Sequence, residues 1–321
     1  MCGLHARAGR PWRTVMSGNL AKAPLTAIIF AAMMALMAQL LPVSQTYAQA
    51  SAEFQMPLTG YVFLVVYGLW LSLAMALYYY HAKAKGPGAL IFAAIFFLGL
   101  ACVGPAADQI AFGQPTGAMT GADTWMQVIA FSVSTLFILL LGHMLMKSRD
   151  PAMEQPRPKC RLQALPLTIK LIVTPFIFCI LFFILWYFMV WQREPVLLYY
   201  SGGLPRAEVD FLPMLTRNVI FSLVQGLAYM LLSLPLLQQL PGKRSMFLIL
   251  NALLYLSGAL YWLIPQAAMP DAVRIAQLVR YGVLMLVYAV LTGIMLHTSI
   301  KAEEAEPVKP AKAARPAAVK K

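Results

Sequence analysis

The sequence predicts an all-α polytopic transmembrane helical bundle of seven to eight spanning helices. Three observations carry that expectation: composition, the length of the uncharged runs, and the side on which the basic residues fall. Of 321 residues, 60% are hydrophobic and only 12% charged, with a mean hydropathy of +0.71. Soluble domains carry about 25% charged residues, so half that share leaves too little polar surface to keep a globule of this size in water. The 22 prolines and 20 glycines suit spanning helices and their turns, where both residues are tolerated.

A hydrocarbon core of about 30 Å needs roughly 20 apolar residues as helix. Uncharged runs of that length fall at 24–42, 61–80, 89–107, 124–146, 171–191, 218–237, 245–264 and 281–300. The last helix is expected to begin earlier, near Asp271, because Pro270-Asp271 reads as a helix start. With the N-terminus inside, alternate loops hold 20 Lys and Arg on the inner side and 5 on the outer side. Acidic residues divide 5 to 7. Basic residues accumulate on the cytoplasmic side of membrane proteins while acidic residues carry little topological weight, so the split orients the chain with a cytoplasmic C-terminus. Aromatic residues at span ends read as interfacial anchors: Tyr78, Tyr79 and Tyr80, then Trp186, Tyr187 and Trp191, then Tyr261 and Trp262.

The chain divides into three parts. Residues 1–50 are a basic arm followed by a signal peptide or first spanning helix, 51–300 the bundle, and 301–321 a disordered basic cytoplasmic tail rich in Ala, Pro and Lys. Ala48-Gln49-Ala50 matches a small-x-small cleavage site after a basic-then-apolar segment, which predicts a mature chain beginning at Ser51. The loops 147–170 and 192–217 are too short to bury a core, since domains below about 40 residues rarely fold unaided. No Walker A loop, nucleophile elbow, zinc-protease motif or dinucleotide fingerprint is present. Any chemistry is therefore placed on the helices or their ends. Cys2, Cys102, Cys160 and Cys179 form no CxxC pair.

The densest polar group lies at the outer ends of the last four helices. It supplies the candidate binding residues Arg217, Arg274, Arg280, Gln277, Gln225, Glu208 and Asp210. Gln277 and Arg280 share a helix face at i, i+3 spacing, and Gln225 lies eight residues beyond Arg217. Convergent guanidinium and amide groups near an interface suit an anionic headgroup or small anion; snorkelling anchors and helix-end ion pairs are the structural alternative. His81, His143 and His297 fall at the inner ends of three helices, the equal depth that metal or haem ligation between helices needs. No carboxylate accompanies them and no cofactor is predicted. Asn251, in mid-run, is expected to bond a neighbouring helix.

Trp191-Gln192-x-Glu194-Pro195, Tyr199-Tyr200-x-Gly202-Gly203, Arg217, Pro265, Met269-Pro270-x-x-Val273-Arg274 and Leu278 resemble a group of uncharacterised bacterial integral membrane proteins. The resemblance covers roughly the last 110 residues and implies a bacterial source without implying an activity. In that pattern Gly would stand at Asn218, and His and an acidic residue at Gln277 and Arg280.

Three functional classes follow. The first is a protein of the bacterial inner membrane that binds or transports an anionic small molecule or lipid headgroup. The second is a non-catalytic subunit packing against another membrane protein through small residues such as Gly226 and Gly258. The third is an intramembrane redox or transferase enzyme. Transport predicts deep polar residues on several helices, met here mainly by Gln225 and Asn251; an enzyme predicts clustered titratable groups below the interface, which are nearly lacking. The bilayer is the obligatory partner. Nucleic acid is excluded, because the basic residues separate apolar runs instead of gathering on one aromatic-studded face.

Overall fold

The computed structural model describes residues 10–53, 57–82, 86–99, 121–146, 160–162, 164–239, 244–266, 269–297 and 300–302. In chain order the helices are α1 (Arg10–Leu40), α2 (Gln45–Glu53), α3 (Leu58–His81), α4 (Pro87–Phe96), α5 (Gly121–Leu145) and α6 (Ala164–Trp186). After them come α7 (Glu194–Ser201), α8 (Phe211–Gln239), α9 (Arg244–Leu260) and α10 (Asp271–His297). All but α2, α4 and α7 are long and apolar enough to cross a membrane, which makes seven candidate spans among the described residues. Pro24, Pro175 and Pro235 lie inside helices, as spanning helices allow. A short antiparallel ribbon pairs Cys160–Leu162 with Ile300–Ala302.

Cross-helix bonds settle the direction of the first helices. Thr26 and Ser72 join their hydroxyls at 2.6 Å, pairing α1 with α3. The Lys22 ammonium donates to the Leu145 carbonyl near one end of α1. Near the other end, Asp123 accepts from the Ser44 amide at 2.7 Å and from its hydroxyl at 2.6 Å. Helix α5 is therefore antiparallel to α1 and runs the same way as α3. The chain leaves α3 at one face of the bundle and starts α5 at the other. Helix α4 lies at the start of the run 89–107; the part of the run beyond residue 99 lies outside the described residues.

The first helix is built into this bundle. Phe30 is fully buried and meets Tyr67 at 5.5 Å and Phe131 at 5.9 Å. Ala27 lies against Gly68 so closely that a Cβ on Gly68 would come within 2.9 Å of its carbonyl oxygen. Ser44 also caps α2, its hydroxyl accepting from the Tyr47 amide at 3.2 Å. The Ala48-x-Ala50 motif thus sits inside a capped helix, where a protease does not meet it as an extended chain. These contacts predict retention of α1. Intact-mass analysis of the membrane-purified protein should find residues before Ser51 still attached; a chain beginning at Ser51 contradicts the packing.

Burial corrects the anchoring role of the aromatic residues. Tyr78, Tyr79, Tyr80, Trp186, Tyr261 and Trp262 are all buried, while Tyr187 and Trp191 are half-buried. The Tyr78 hydroxyl donates to the Ala89 carbonyl and the Tyr79 hydroxyl to the Leu139 carbonyl, both at 3.1 Å. These rings join helices; position at a span end gives the depth of a residue but not the direction in which its ring points.

A polar network holds α8, α9 and α10 together in mid-bundle. Asn251 donates from its amide to the Ala289 carbonyl at 2.8 Å and the Thr292 hydroxyl at 3.1 Å. Its amide oxygen accepts from Ser233 at 3.1 Å. Tyr255 donates to the Tyr229 carbonyl at 2.9 Å and Tyr288 to the Gly226 carbonyl at 2.8 Å. Interhelical bonds of this kind contribute about 0.6 kcal/mol each on average in a bilayer, so the network matters more through its number and direction than through any one bond.

Candidate functional site

Helix α7 marks one end of the bundle. Its eight residues begin with Pro195 in the first turn and stop at Gly202, whose φ of 75° places it in the left-handed region that Gly adopts without strain. The Gly203 amide closes the turn on the Leu198 carbonyl at 2.8 Å. This turn fixes Tyr199 and Tyr200 over the first turns of α10. Burial pushes the Tyr199 phenol up to about 12, so that ring stays neutral.

Arg280 lies nine residues beyond Asp271, about 14 Å along the helix at 1.5 Å per residue. Its side chain is 2% exposed. The guanidinium carbon stands 4.9 Å from the Phe182 ring of α6 and 4.7 Å from the neighbouring Tyr281 ring, two cation–π contacts within the usual range. Tyr281 is itself stacked on Trp262 at 5.9 Å and 20°. One turn toward α7, Gln277 is 0% exposed; its amide nitrogen donates to the Tyr200 hydroxyl, and its Oε1 meets no hydrogen-bond partner.

On α8 the buried polar residues Asn218, Ser222, Gln225, Tyr229 and Ser233 follow a four-three-four-four spacing, which is one face of a helix. Ser233 turns that face toward α9, as its bond to Asn251 establishes, and the Tyr229 carbonyl accepts from Tyr255 of the same helix. The Tyr288–Gly226 bond, with Phe178 against Tyr288 at 4.7 Å, sets the relative height of α6, α8 and α10. Asn218 on α8 and Arg280 on α10 each lie eight residues nearer α7 than that bond, about 12 Å along their own helices, while Gln225 is one residue from it. Asn218 is 1% exposed, and neither its amide nitrogen nor its oxygen has a hydrogen-bond partner. Gln225 donates to the Tyr229 hydroxyl at 3.1 Å, but its Oε1 is unfilled.

The polar group read from the sequence therefore separates by direction. Gln277, Arg280 and Gln225 face inward. Arg217 lies on the exposed face of α8 among Leu212, Thr216, Ile220 and Val224. Asp210 is exposed and accepts from the Leu212 amide at 3.3 Å, capping α8; Glu208 is exposed beside it. Arg274 pairs with Asp271 at 2.8 Å and donates to the Leu263 carbonyl at 2.5 Å, tying α10 to the 3-10 turn Tyr261–Leu263 after α9. That role is structural. Arg274→Ala is expected to lower the melting temperature by a few degrees while anion binding stays unchanged, read by thermal unfolding and titration side by side; a selective loss of binding contradicts it.

Two of the three candidate histidines are seen against aromatic rings. His81 meets Tyr80 edge-on at 4.8 Å and His143 is tilted on Tyr79 at 5.6 Å; the His297 side chain lies outside the described residues. Among the described residues no group of three or more His, Cys, Asp and Glu could hold a metal ion. Gly226 is filled from within the chain: a Cβ there would meet the Phe178 Cβ at 2.8 Å.

The sequence offers Asn218 only as the position where the resembled pattern has Gly and Tyr200 only as part of the Tyr199-Tyr200 motif, and it does not single out Phe182. The spacing of polar residues down α8 was the signal that could have found the first. The others needed the fold.

The fold defines a multi-pass α-helical membrane protein. Comparison of the chain with protein-family models, curated proteins and solved structures finds no match, so the functional reading rests on the geometry just described.

Proposed function

We propose that this is a bacterial inner-membrane protein that binds an anionic small molecule or lipid headgroup in the outer half of its bundle, with the C-terminus in the cytoplasm. The observation that carries the reading is Arg280, a guanidinium 2% exposed inside a spanning helix. Translocon scales put a central Arg at roughly 2.5–3.5 kcal/mol unfavourable, and ionisable groups at such depth mark ligand or ion pathways. Arg is also the side chain whose planar donors match carboxylate and phosphate oxygens in pairs. The rings of Phe182 and Tyr281 lie within cation–π distance of the guanidinium.

The orientation is supported by the 20-to-5 division of Lys and Arg. Reporter fusions after Asp150 and Lys301 should read cytoplasmic, and fusions after Arg206 and Asp271 periplasmic; two adjacent fusions reporting the opposite sides contradict it. The binding itself is tested by native mass spectrometry of the protein released from its own membrane. An anionic adduct present in the wild type and lost in Arg280→Met supports the reading. Equal adducts in both contradict it.

A further inference from the structure

We infer a second site, on the bilayer-facing surface of α8 and independent of Arg280, that holds one aminophospholipid of the phosphatidylethanolamine kind. Its phosphate meets Arg217, its ammonium meets Asp210, and an acyl chain lies in the groove below them.

The groove runs along α8, and its described lining all comes from that helix. Leu212, Thr216, Ile220 and Val224 form one row at i, i+4 spacing and Arg217 and Phe221 stand in the next; all are exposed except the half-buried Phe221. Rows of this spacing are the ridges of a helix, with a trough between them. The middle residue of α8 (Phe211–Gln239) is Gln225. In a helix centred on a hydrocarbon core of about 30 Å, Arg217 lies eight residues from the midplane, about 12 Å, and its long side chain reaches the headgroups. Val224, at the other end of the groove, is one residue from the midplane. The groove therefore covers one leaflet, the one on the α7 side, with a guanidinium at phosphate depth and apolar side chains beneath it. That is the order of chemistry along a phospholipid, and a guanidinium matches phosphate oxygens in pairs.

Asp210 selects the headgroup. It is exposed, and its Oδ1 accepts at 3.3 Å from the amide of Leu212, a lining residue, which holds the carboxylate at the outer mouth of the groove. Seven residues, two turns, separate it from Arg217, so the two share a face. Helical side chains lean toward the N-terminus, which carries the guanidinium toward Asp210 and away from the midplane. Carboxylate outermost, guanidinium next and apolar trough last complement an ammonium, a phosphodiester and an acyl chain. Glu208, exposed beside Asp210, adds to the negative field at the mouth. An anionic headgroup would meet both carboxylates with like charge, which disfavours it there.

The test titrates the full-length protein in detergent with phosphatidylethanolamine or phosphatidylcholine of matched chains, with bound lipid read by native mass spectrometry. Both lipids are zwitterions, so a general anion site does not separate them, and the methylated nitrogen of phosphatidylcholine cannot donate a hydrogen bond. Wild type is expected to hold phosphatidylethanolamine about tenfold more tightly, the worth of one charge-assisted bond. The double variant Glu208→Gln with Asp210→Asn keeps a capping side chain, since Asn caps as well as Asp, and should bring phosphatidylethanolamine down to the phosphatidylcholine level. Arg217→Leu should weaken both lipids by about tenfold; if it fails to fold, Arg217→Gln is read in its place. Equal affinities in wild type, or a preference that survives the double variant, overturns the aminophospholipid assignment. Binding of both lipids unchanged by loss of Arg217 overturns the site itself, and a dimer broken by the same variant would make a second copy of the chain the occupant of the groove.

Discussion

Gly68→Ala is expected to destabilise the protein, although Ala is the better helix former by about 1 kcal/mol. The added Cβ would lie 2.9 Å from the Ala27 carbonyl oxygen and 3.1 Å from its Cα, both backbone atoms of the facing helix, and 3.1 Å from Phe30. No rotamer change removes a clash with backbone, so α1 and α3 have to move apart. Separation stretches the 2.6 Å bond between Thr26 and Ser72 and loosens Phe30 from Tyr67 and Phe131. Overpacking of this kind costs about 1–3 kcal/mol. Gly282→Ala is the matched control, because a Cβ there meets nothing within 4 Å; it should leave stability unchanged or raise it. Thermal unfolding in one detergent should lower the melting temperature of Gly68→Ala and not that of Gly282→Ala. Equal shifts would mean that α1 is not held at Gly68.

Arg280→Met is expected to abolish anion binding while leaving the fold intact. Hydrogen bonds to charged groups contribute about 1.5–3 kcal/mol, so losing the guanidinium should weaken an anion by about ten- to a hundredfold. The melting temperature should fall modestly, because the cation–π contacts to Phe182 and Tyr281 are lost with the guanidinium. Arg280→Lys keeps the charge but loses the planar donors and the stack between Phe182 and Tyr281; it should fall between the other two. Should Arg280→Met lower the melting temperature but keep wild-type affinity, the residue is structural.

How much of this was legible in the sequence follows from what a linear pattern contains. Span number and length were readable because each helix crosses the same apolar thickness and shows it as a run. Helix ends were readable where a local signal marks them: Pro270-Asp271 set the start of the last helix ahead of its uncharged run, and α10 does begin at Asp271. Less readable was that Arg280, inside α10, is buried. A charge at a boundary and a charge buried inside a helix look alike until the neighbours are known. The pairing of Gln277 with Arg280 was readable from i, i+3 spacing. Their separation from Arg217 and Arg274 was not, since sequence order gives depth along a helix and leaves open which way each face is turned. Tyr78 and Tyr79 teach the same lesson: their place at a span end was visible, while their bonds to Ala89 and Leu139 depended on which later helices pack against α3.

Arg280, buried inside a spanning helix, is the residue on which the anion-binding reading turns. The most direct measurement is a high-resolution density map of the protein reconstituted with phosphatidylglycerol. Density for an anionic group within hydrogen-bond distance of the Arg280 guanidinium is the expected result. A guanidinium surrounded only by the protein's own side chains would contradict it.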